Sequence, residues 1–444
     1  MAGDDVVVVG AGAAGLATAI FLRRANPSRS VIVLDGAKKP GAKIVISGGS
    51  RCNVTNINVT ERDFWGGRST IVRRILRAFP VDETIAFFRE IGVPLHEEGD
   101  GKLFPDSNRS RDVLDALLRE LSRVGGELRP NRRVVDVVAD DEEFAVATTS
   151  GDLRAGAVVL ATGGKSLPKT GSDGGGLEIA RRLGHTIVPT TPALAPLLLA
   201  DDDAMHRELT GVAHDVELAI RVDGTIAIRL AGAMLWTHFG VSGPVALNAS
   251  RHWLRAAMDG HAATVTVSFH PGRDFADVDG EWTRLASDHP RMTVHTALAR
   301  FVPASVASAL LRTLRRSVLD TREGHGPSAS ARGGGAPRET EMDKSTPLAH
   351  FARDDRRRLV RALVEWPLPI TGTRGYGFAE ATAGGIDLTE IDPATMESRL
   401  CPGLFFAGEI LDVDGRIGGF NFQWAWSSAA LAGRAINATT PQRR

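Results

Sequence analysis

Only two cysteines, Cys52 and Cys401, occur in 444 residues. That excludes a secreted disulfide scaffold and suits a reducing compartment, so a cytoplasmic location is expected. An excess of one charge is also missing, because 53 Lys and Arg balance 53 Asp and Glu. A dedicated nucleic-acid binder carries a basic face or a high pI. Neutrality therefore argues against that class and leaves room only for a local basic patch. No segment reads as a membrane span. Residues 6–22 are uncharged, but glycines interrupt them and Asp4 and Asp5 precede them instead of a basic segment. Residues 230–250 are uncharged too, yet Thr237, His238, Ser242, Pro244 and Asn248 suit a buried, ligand-facing stretch better than lipid. CxxC, HxxxH, GxSxG and the P-loop are absent, which leaves no metal, nucleophile-elbow or Walker motif. No internal repeat is visible.

Glycine is plentiful. Average usage predicts about 31, and the chain has 48. Many fall in four clusters: 10–15, 41–49, 163–176 and 408–419. Clustered glycines mark tight turns or close approach to a ligand. Apolar residues make up 43% of the chain, enough to fold, and the length suggests two or three domains.

Residues 6–9 are four valines, a strand buried on both faces, and a helical pattern from Ala13 to Ala25 leads to strand 31–34. Residues 36–57 read as a Gly/Ser-rich loop. Helices are expected near 69–78, 81–91, 110–123 and 175–183, and a buried strand at 157–161. After Pro189, Pro192 and Pro196 the pattern turns to β-strands over 209–237 and 263–269, then to helices over 275–316 and 347–364. Between those helices, 324–339 reads as a flexible linker. Strand 404–408 and a helix near 415–436 end the chain. This predicts an α/β fold in four segments. A dinucleotide-binding domain is formed by 1–190 and 371–444. A β-rich substrate domain (191–274) and a helical subdomain (275–370) are inserted in it.

Gly10-Ala11-Gly12-Ala13-Ala14-Gly15 is GxGxxG between a buried strand and a helix, the context such a fingerprint requires. Gly10 permits the turn, Gly12 lets backbone approach a pyrophosphate, and Gly15 lets the helix pack on the strand. The N–H groups of Ala13 and Ala14 open that helix toward phosphate. Asp35 ends the second strand and would accept hydrogen bonds from an adenosine ribose, which disfavours the 2′-phosphate of NADP there. Ala161-Thr162-Gly163 ends one further strand, Gly408-Glu409 ends another, and Gly418-Gly419-Phe420-Asn421 opens a helix. Such a return suits the ribityl chain and pyrimidine edge of a flavin and points to non-covalent FAD.

The sequence is similar to the bacterial aminoacetone-oxidase-like (BaiN/YhiN-type) family of NAD(P)/FAD-dependent oxidoreductases. The resemblance rests on GAGAAG (10–15), GAKIVISGGSRCNVTN (41–56), LFPDSNRSRDVLDALL (103–118), LATGGKSLPKTGSDG (160–174), THFGVSGP (237–244) and AGEILDVDGRIGGFNFQWAWSS (407–428). It spans nearly the whole chain outside 321–340. It implies a two-dinucleotide-type Rossmann FAD-binding domain with an inserted β-barrel-like domain and a helical subdomain. It also implies that Lys43, Ser47, Gly48, Gly49, Arg51, Cys52 and Asn53 lie along the flavin, with Glu409 and Gly418–Asn421 at its ribityl chain and pyrimidine. Val134 would meet the adenine through its backbone. Leu167 and Phe420 replace an aromatic residue and a tyrosine of several relatives.

Two residues are candidates for catalysis. His238 has a side chain suited to proton transfer near neutrality; the plainer expectation is a histidine hydrogen-bonded in place. Cys52 lacks a partner for dithiol chemistry. It is either a small packing residue near the flavin or a thiol that modulates it. Lys43 and Arg51 could steady pyrophosphate, flavin or an anionic substrate, or could form ion pairs. Asn421 and Gln423 offer amide contacts to a flavin edge. Ser242-Gly243-Pro244 could cap a helix whose N-terminus faces the site. Trp424 and Trp426 suggest packing, and Arg353, Arg357 and Arg361 a solvated helix face. With no second GxGxxG, a nicotinamide would visit rather than reside.

The expected activity is hydride exchange between FAD and a small organic substrate held between the dinucleotide domain and the insert, with oxygen or NAD(P)H completing the cycle. The alternatives are a redox-responsive flavin module controlling a partner, and an RNA-modifying flavoprotein. The sequence leaves substrate and oligomeric state open.

Overall fold

The computed structural model describes residues 6–140, 143–200, 205–323 and 344–436. The 324–339 linker lies outside the described residues. The chain divides into two compact units, one of residues 1–194 with 375–444, the other of residues 195–374.

The first unit is built on five parallel strands in the order 404–406, 157–160, 6–9, 31–34, 127–129. At its centre is β1 (Val6–Val9), followed by α1 (Ala13–Ala25) and β2 (Val31–Leu34). Val6 and Val8 join one apolar core and Val7 and Val9 another, so a run of four valines is buried on both faces. On one face α1 packs against the C-terminal helix Phe420–Ala435. A Cβ on Gly433 would lie 2.6 Å from the Thr18 carbonyl, so a small residue sets that approach.

Residues 36–57 depart from the loop expectation. Helical turns form over Ala42–Ser50, here called α2, and are broken by Ser47, Gly48 and Gly49; the two glycines are left-handed (φ 54° and 67°). Apolar Ile44 anchors these turns in the core at 0% exposure. The local composition masked them because glycine lowers helix propensity.

In the second unit, seven strands pair in the order 366–368, 263–268, 213–222, 225–237, 240–242, 197–199, 370–373. The two edge strands, Trp366–Leu368 and Ile370–Thr373, are separated by Pro369 alone, so the sheet must curl on itself, as the expected barrel-like insert requires. The helical segments pack against this sheet. Val278, Trp282, Val306, Leu310 and Leu359 share one core with the sheet residues Val216, Leu218 and Trp236.

Candidate functional site

A cavity of about 750 Å³ runs along the carboxyl ends of the parallel strands, where ligands of such sheets bind. Every residue lining it belongs to the first unit. Gly10, Gly12, Ala13 and Ala14 line its middle, at the start of α1. Gly10 adopts φ +101°, and a Cβ there would sit 2.6 Å from the Ala161 carbonyl. Gly15 lies off the cavity and packs α1 onto the strand, since a Cβ would fall 1.8 Å from the Gly10 carbonyl. Gly12 differs from both. Its φ of −82° suits any residue, and a Cβ there meets nothing within 4 Å. Neither backbone nor protein packing demands glycine at 12, but a side chain would intrude on the space over the helix terminus.

Asp35, Arg132, Arg133 and Val134 line one end. The Asp35 carboxylate accepts from the amides of Ala11 (2.8 Å) and Ala37 (2.7 Å). A carboxylate has about four acceptor positions, so it retains capacity for ribose hydroxyls. Arg133 pairs with Asp173 at 2.7 Å. Ala161, Thr162 and Gly163 lead toward the other end.

At that other end, α2 presents Lys43. Its Nζ lies 2.7 Å from Glu409 Oε2 and donates to Ser166 Oγ at 2.7 Å, joining residues 366 positions apart. Ser166 donates to Glu409 Oε1 at 2.7 Å, and the Thr382 amide donates to the same oxygen at 2.9 Å. Thr382 Oγ1 in turn accepts from the amides of Lys165 (2.8 Å) and Ser166 (3.0 Å). Ser47, Gly48, Gly49, Gly408, Gly418, Gly419 and Asn421 complete this end. Asn421 pins the glycine turn: its Nδ2 donates to the Gly415 carbonyl (2.9 Å) and its Oδ1 accepts from the Gly415 amide (2.8 Å). Leu167 lines the cavity as well.

Lys43 and Glu409 were both expected; their direct pairing was not. Ser166, Thr382 and Glu380 were missed. Ser166 follows the glycine-ended strand region and carried a positional signal, whereas Glu380 precedes and Thr382 lies in a strand whose sequence names no partner.

Other expected residues lie off the cavity. Arg51 pairs with Glu98 at 2.7 Å, and its guanidinium rests 4.1 Å from the Phe104 ring centre. The hydrogen bond from Arg51 holds Glu98 below the usual carboxylate range. Cys52 is fully buried with φ 63°, and burial pushes its thiol up to about 12. A thiol so raised is protonated at neutral pH, so the geometry favours its packing role. Asn53 is buried behind the glycine turn; its carboxamide oxygen has no partner and lies 2.8 Å from where a Gly419 Cβ would be. Phe420 is buried with its edge toward Phe64.

Gln423 does not line this cavity. It accepts from Thr55 (2.6 Å) and Thr84 (3.0 Å) and donates to the Phe79 carbonyl (3.0 Å), tying the last helix to the core. Trp424 and Trp426 pack as expected, donating to the carbonyls of Gly408 and Val54. His238 is exposed in the second unit, beside Phe239. Gly243, at φ +86°, is the cap residue of the helix that begins at Pro244. Arg353, Arg357 and Arg361 are exposed.

One buried cluster looks catalytic but is not placed to act. His185 lies 2.9 Å from both Glu390 Oε2 and Ser398 Oγ. Ser398 Oγ also accepts from the amides of Leu400 and Cys401, and it does not line the cavity described above. The trio joins a helix end to a loop.

Residues 4–435 match the family of the HI0933-like protein Rossmann domain. The chain belongs to that family. It is an FAD-dependent oxidoreductase family, and FAD is the cofactor expected in its Rossmann domain. The chain is 30% identical over 426 residues, 96% of each chain, to the ribosomal RNA dihydrouridine synthase of Escherichia coli (strain K12). It is 29% identical over 432 residues to the 3-dehydro-bile acid delta(4,6)-reductase of Clostridium scindens, covering 97% of this chain and 98% of that one. The Haemophilus influenzae ribosomal RNA dihydrouridine synthase is 29% identical over 438 residues, 98% of each. No described helix is long and apolar enough to cross a membrane, and no described cluster of His, Cys, Asp and Glu could hold a metal.

Proposed function

We propose that this chain adds hydrogen across a carbon–carbon double bond conjugated with a carbonyl, using FAD bound in the first unit. The observation that carries the proposal is the cavity at the α1 terminus, with Gly12 open to it and Asp35 at one end. The residues fit the cofactor. The α1 amides would take the pyrophosphate, Asp35 the adenosine ribose, and Val134 the adenine. The Lys43–Glu409 pair and the 418–421 turn would hold the ribityl and pyrimidine part. Asn53 supplies an unpartnered buried oxygen behind that turn. Bound FAD supplies a two-electron hydride carrier.

The substrate class draws on the names of the relatives. A 3-dehydro-bile acid delta(4,6)-reductase and a dihydrouridine synthase both saturate a carbon–carbon bond next to a carbonyl system. We favour a small organic enone. Reducing equivalents would come from NAD(P)H entering transiently, with oxygen as the alternative acceptor in an oxidase cycle. RNA uracil is the second reading, favoured by the full-length similarity to two rRNA dihydrouridine synthases; net neutrality does not decide against a local basic surface.

The test is anaerobic. NADPH should bleach the flavin band near 450 nm (about, for oxidised flavin), and a steroid enone should restore it. Recovery with a uridine-containing rRNA fragment but not with enones would move the assignment to RNA. Recovery with oxygen alone would remove the reductase reading, and failure of every acceptor would point to a redox-responsive binding module.

A further inference from the structure

Four carboxylates line the cavity: Asp35, Asp173, Glu380 and Glu409. Three are engaged. Asp35 is taken by two amides, Asp173 by Arg133, and Glu409 by Lys43, Ser166 and the Thr382 amide. Glu380 alone has no hydrogen-bond or ion-pair partner for its side chain among the described residues, and only its backbone is bonded, to Leu194 and Ser166.

Its position is set by the same network that organises the Lys43 end. Glu380 lies two residues before Thr382, whose amide holds Glu409 and whose hydroxyl holds the 165–166 backbone. It is therefore at the end of the cavity opposite Asp35. If the adenosine lies at Asp35 and the pyrophosphate at α1, the reactive part of a dinucleotide must extend toward Glu380.

We propose that Glu380 is the proton donor for the reduction. The assignment rests on the reading of this chain as an FAD-dependent reductase. Bound FAD, once reduced, would supply hydride to the β-carbon of the enone, and the Glu380 carboxylic acid would give its proton to the α-carbon. The C=C π pair forms the second C–H bond, two electrons leave the flavin, and the resulting carboxylate takes a proton back from water.

The surroundings favour the acid form. Glu380 is exposed at its side chain, and the protein atoms packed around it shift its carboxyl above the usual range by partial desolvation. An occupant that expels the cavity water strengthens that effect. The positive groups nearby do not reverse it. Lys43 is neutralised by Glu409 and Arg133 by Asp173, and among the described residues no ion pair joins Lys169 or Arg132 to Glu380. A general acid supplies roughly 10²–10⁴-fold in rate.

The test compares the holoenzyme with E380Q, which keeps the shape and loses the proton. Infrared pH titration of the wild type should show a protonated carboxyl persisting above the ordinary glutamate range and missing from E380Q. FAD affinity and the rate of flavin reduction should stay within about threefold of wild type, while anaerobic reoxidation by a steroid enone should slow at least ~100-fold. Wild-type reoxidation matched by E380Q would overturn the proposal and leave the reductase reading standing, as would a carboxyl that titrates normally. A wild type that no enone reoxidises would defeat the reductase reading and this assignment with it. Loss of FAD from E380Q would make Glu380 a binding residue and also overturn it; E380D, which restores the acid, then checks whether binding alone was at fault.

Discussion

Gly12 and Cys52 show how burial and open space separate ligand-facing from packing residues. A Cβ at 12 meets no protein atom and the backbone there is ordinary, so a larger side chain should leave the fold intact and fill the space over the α1 terminus. G12V is expected to lose at least ~10-fold in FAD affinity, since one steric clash over the phosphates of ~1.4 kcal/mol suffices. The melting temperature of the apoprotein should move little. Flavin absorbance per protein and a thermal melt check both at once; a variant that binds FAD normally would show that the cavity's middle is not the phosphate site. Cys52 is the opposite case. With its thiol at about 12, the thiolate fraction at pH 8 is ~10⁻⁴. Native protein should resist a maleimide at Cys52 for hours, and unfolded protein should react at once. Rapid native labelling mapped to Cys52 by mass spectrometry would show a reactive thiol after all.

At the scale of elements, the site depends on long-range pairing. Thr382 ties the strand Ala381–Ile386 to the loop after the strand Ala157–Leu160, and through Glu409 to α2. T382V keeps the side-chain volume and removes the hydroxyl, leaving the Lys165 and Ser166 amides without their acceptor. Leaving such buried groups unpaired costs ~1–3 kcal/mol. The variant should melt lower and bind FAD more weakly, because Ser166 also holds Glu409 and Lys43. Chemical denaturation and a flavin titration measure the two effects, and an unchanged flavin affinity would confine Thr382 to fold stability. The elements themselves were legible from residue patterns: four valines, a glycine fingerprint and an acidic residue closing β2 identify a dinucleotide-binding unit locally. Arg51 and Gln423 were not legible. A cation or amide beside a glycine loop can turn either way, and Glu98 and Thr55 with Thr84 captured them.

Across the molecule, buried and half-buried histidines set the response to acid. Burial lowers the pKa of His185, His214 and His270, and that of His252 to about 3. Each is more easily protonated when unfolded, near 6.5, than when folded. Stability is therefore full above that value and is lost as pH falls below it, by up to ~1.4 kcal/mol per pH unit for each histidine. Three of the four lie in the unit of residues 195–374. Melting should be nearly constant from pH 8 to about 7 and fall steadily below about 6.5; a melting temperature unchanged down to pH 5 would contradict it.

By itself the sequence determined the family, the parallel sheet and the glycine-lined dinucleotide site, because strand burial, helix initiation and close phosphate approach depend on neighbouring residues. Tertiary structure decided the rest. Lys43 and Glu409 are 366 residues apart, the helices after 275 join the barrel-like core, and among the described residues Glu380 is the cavity carboxylate whose side chain has no partner. Each of these depends on which distant groups satisfy one another's charge, hydrogen bonds or apolar surface, and no local pattern records that choice.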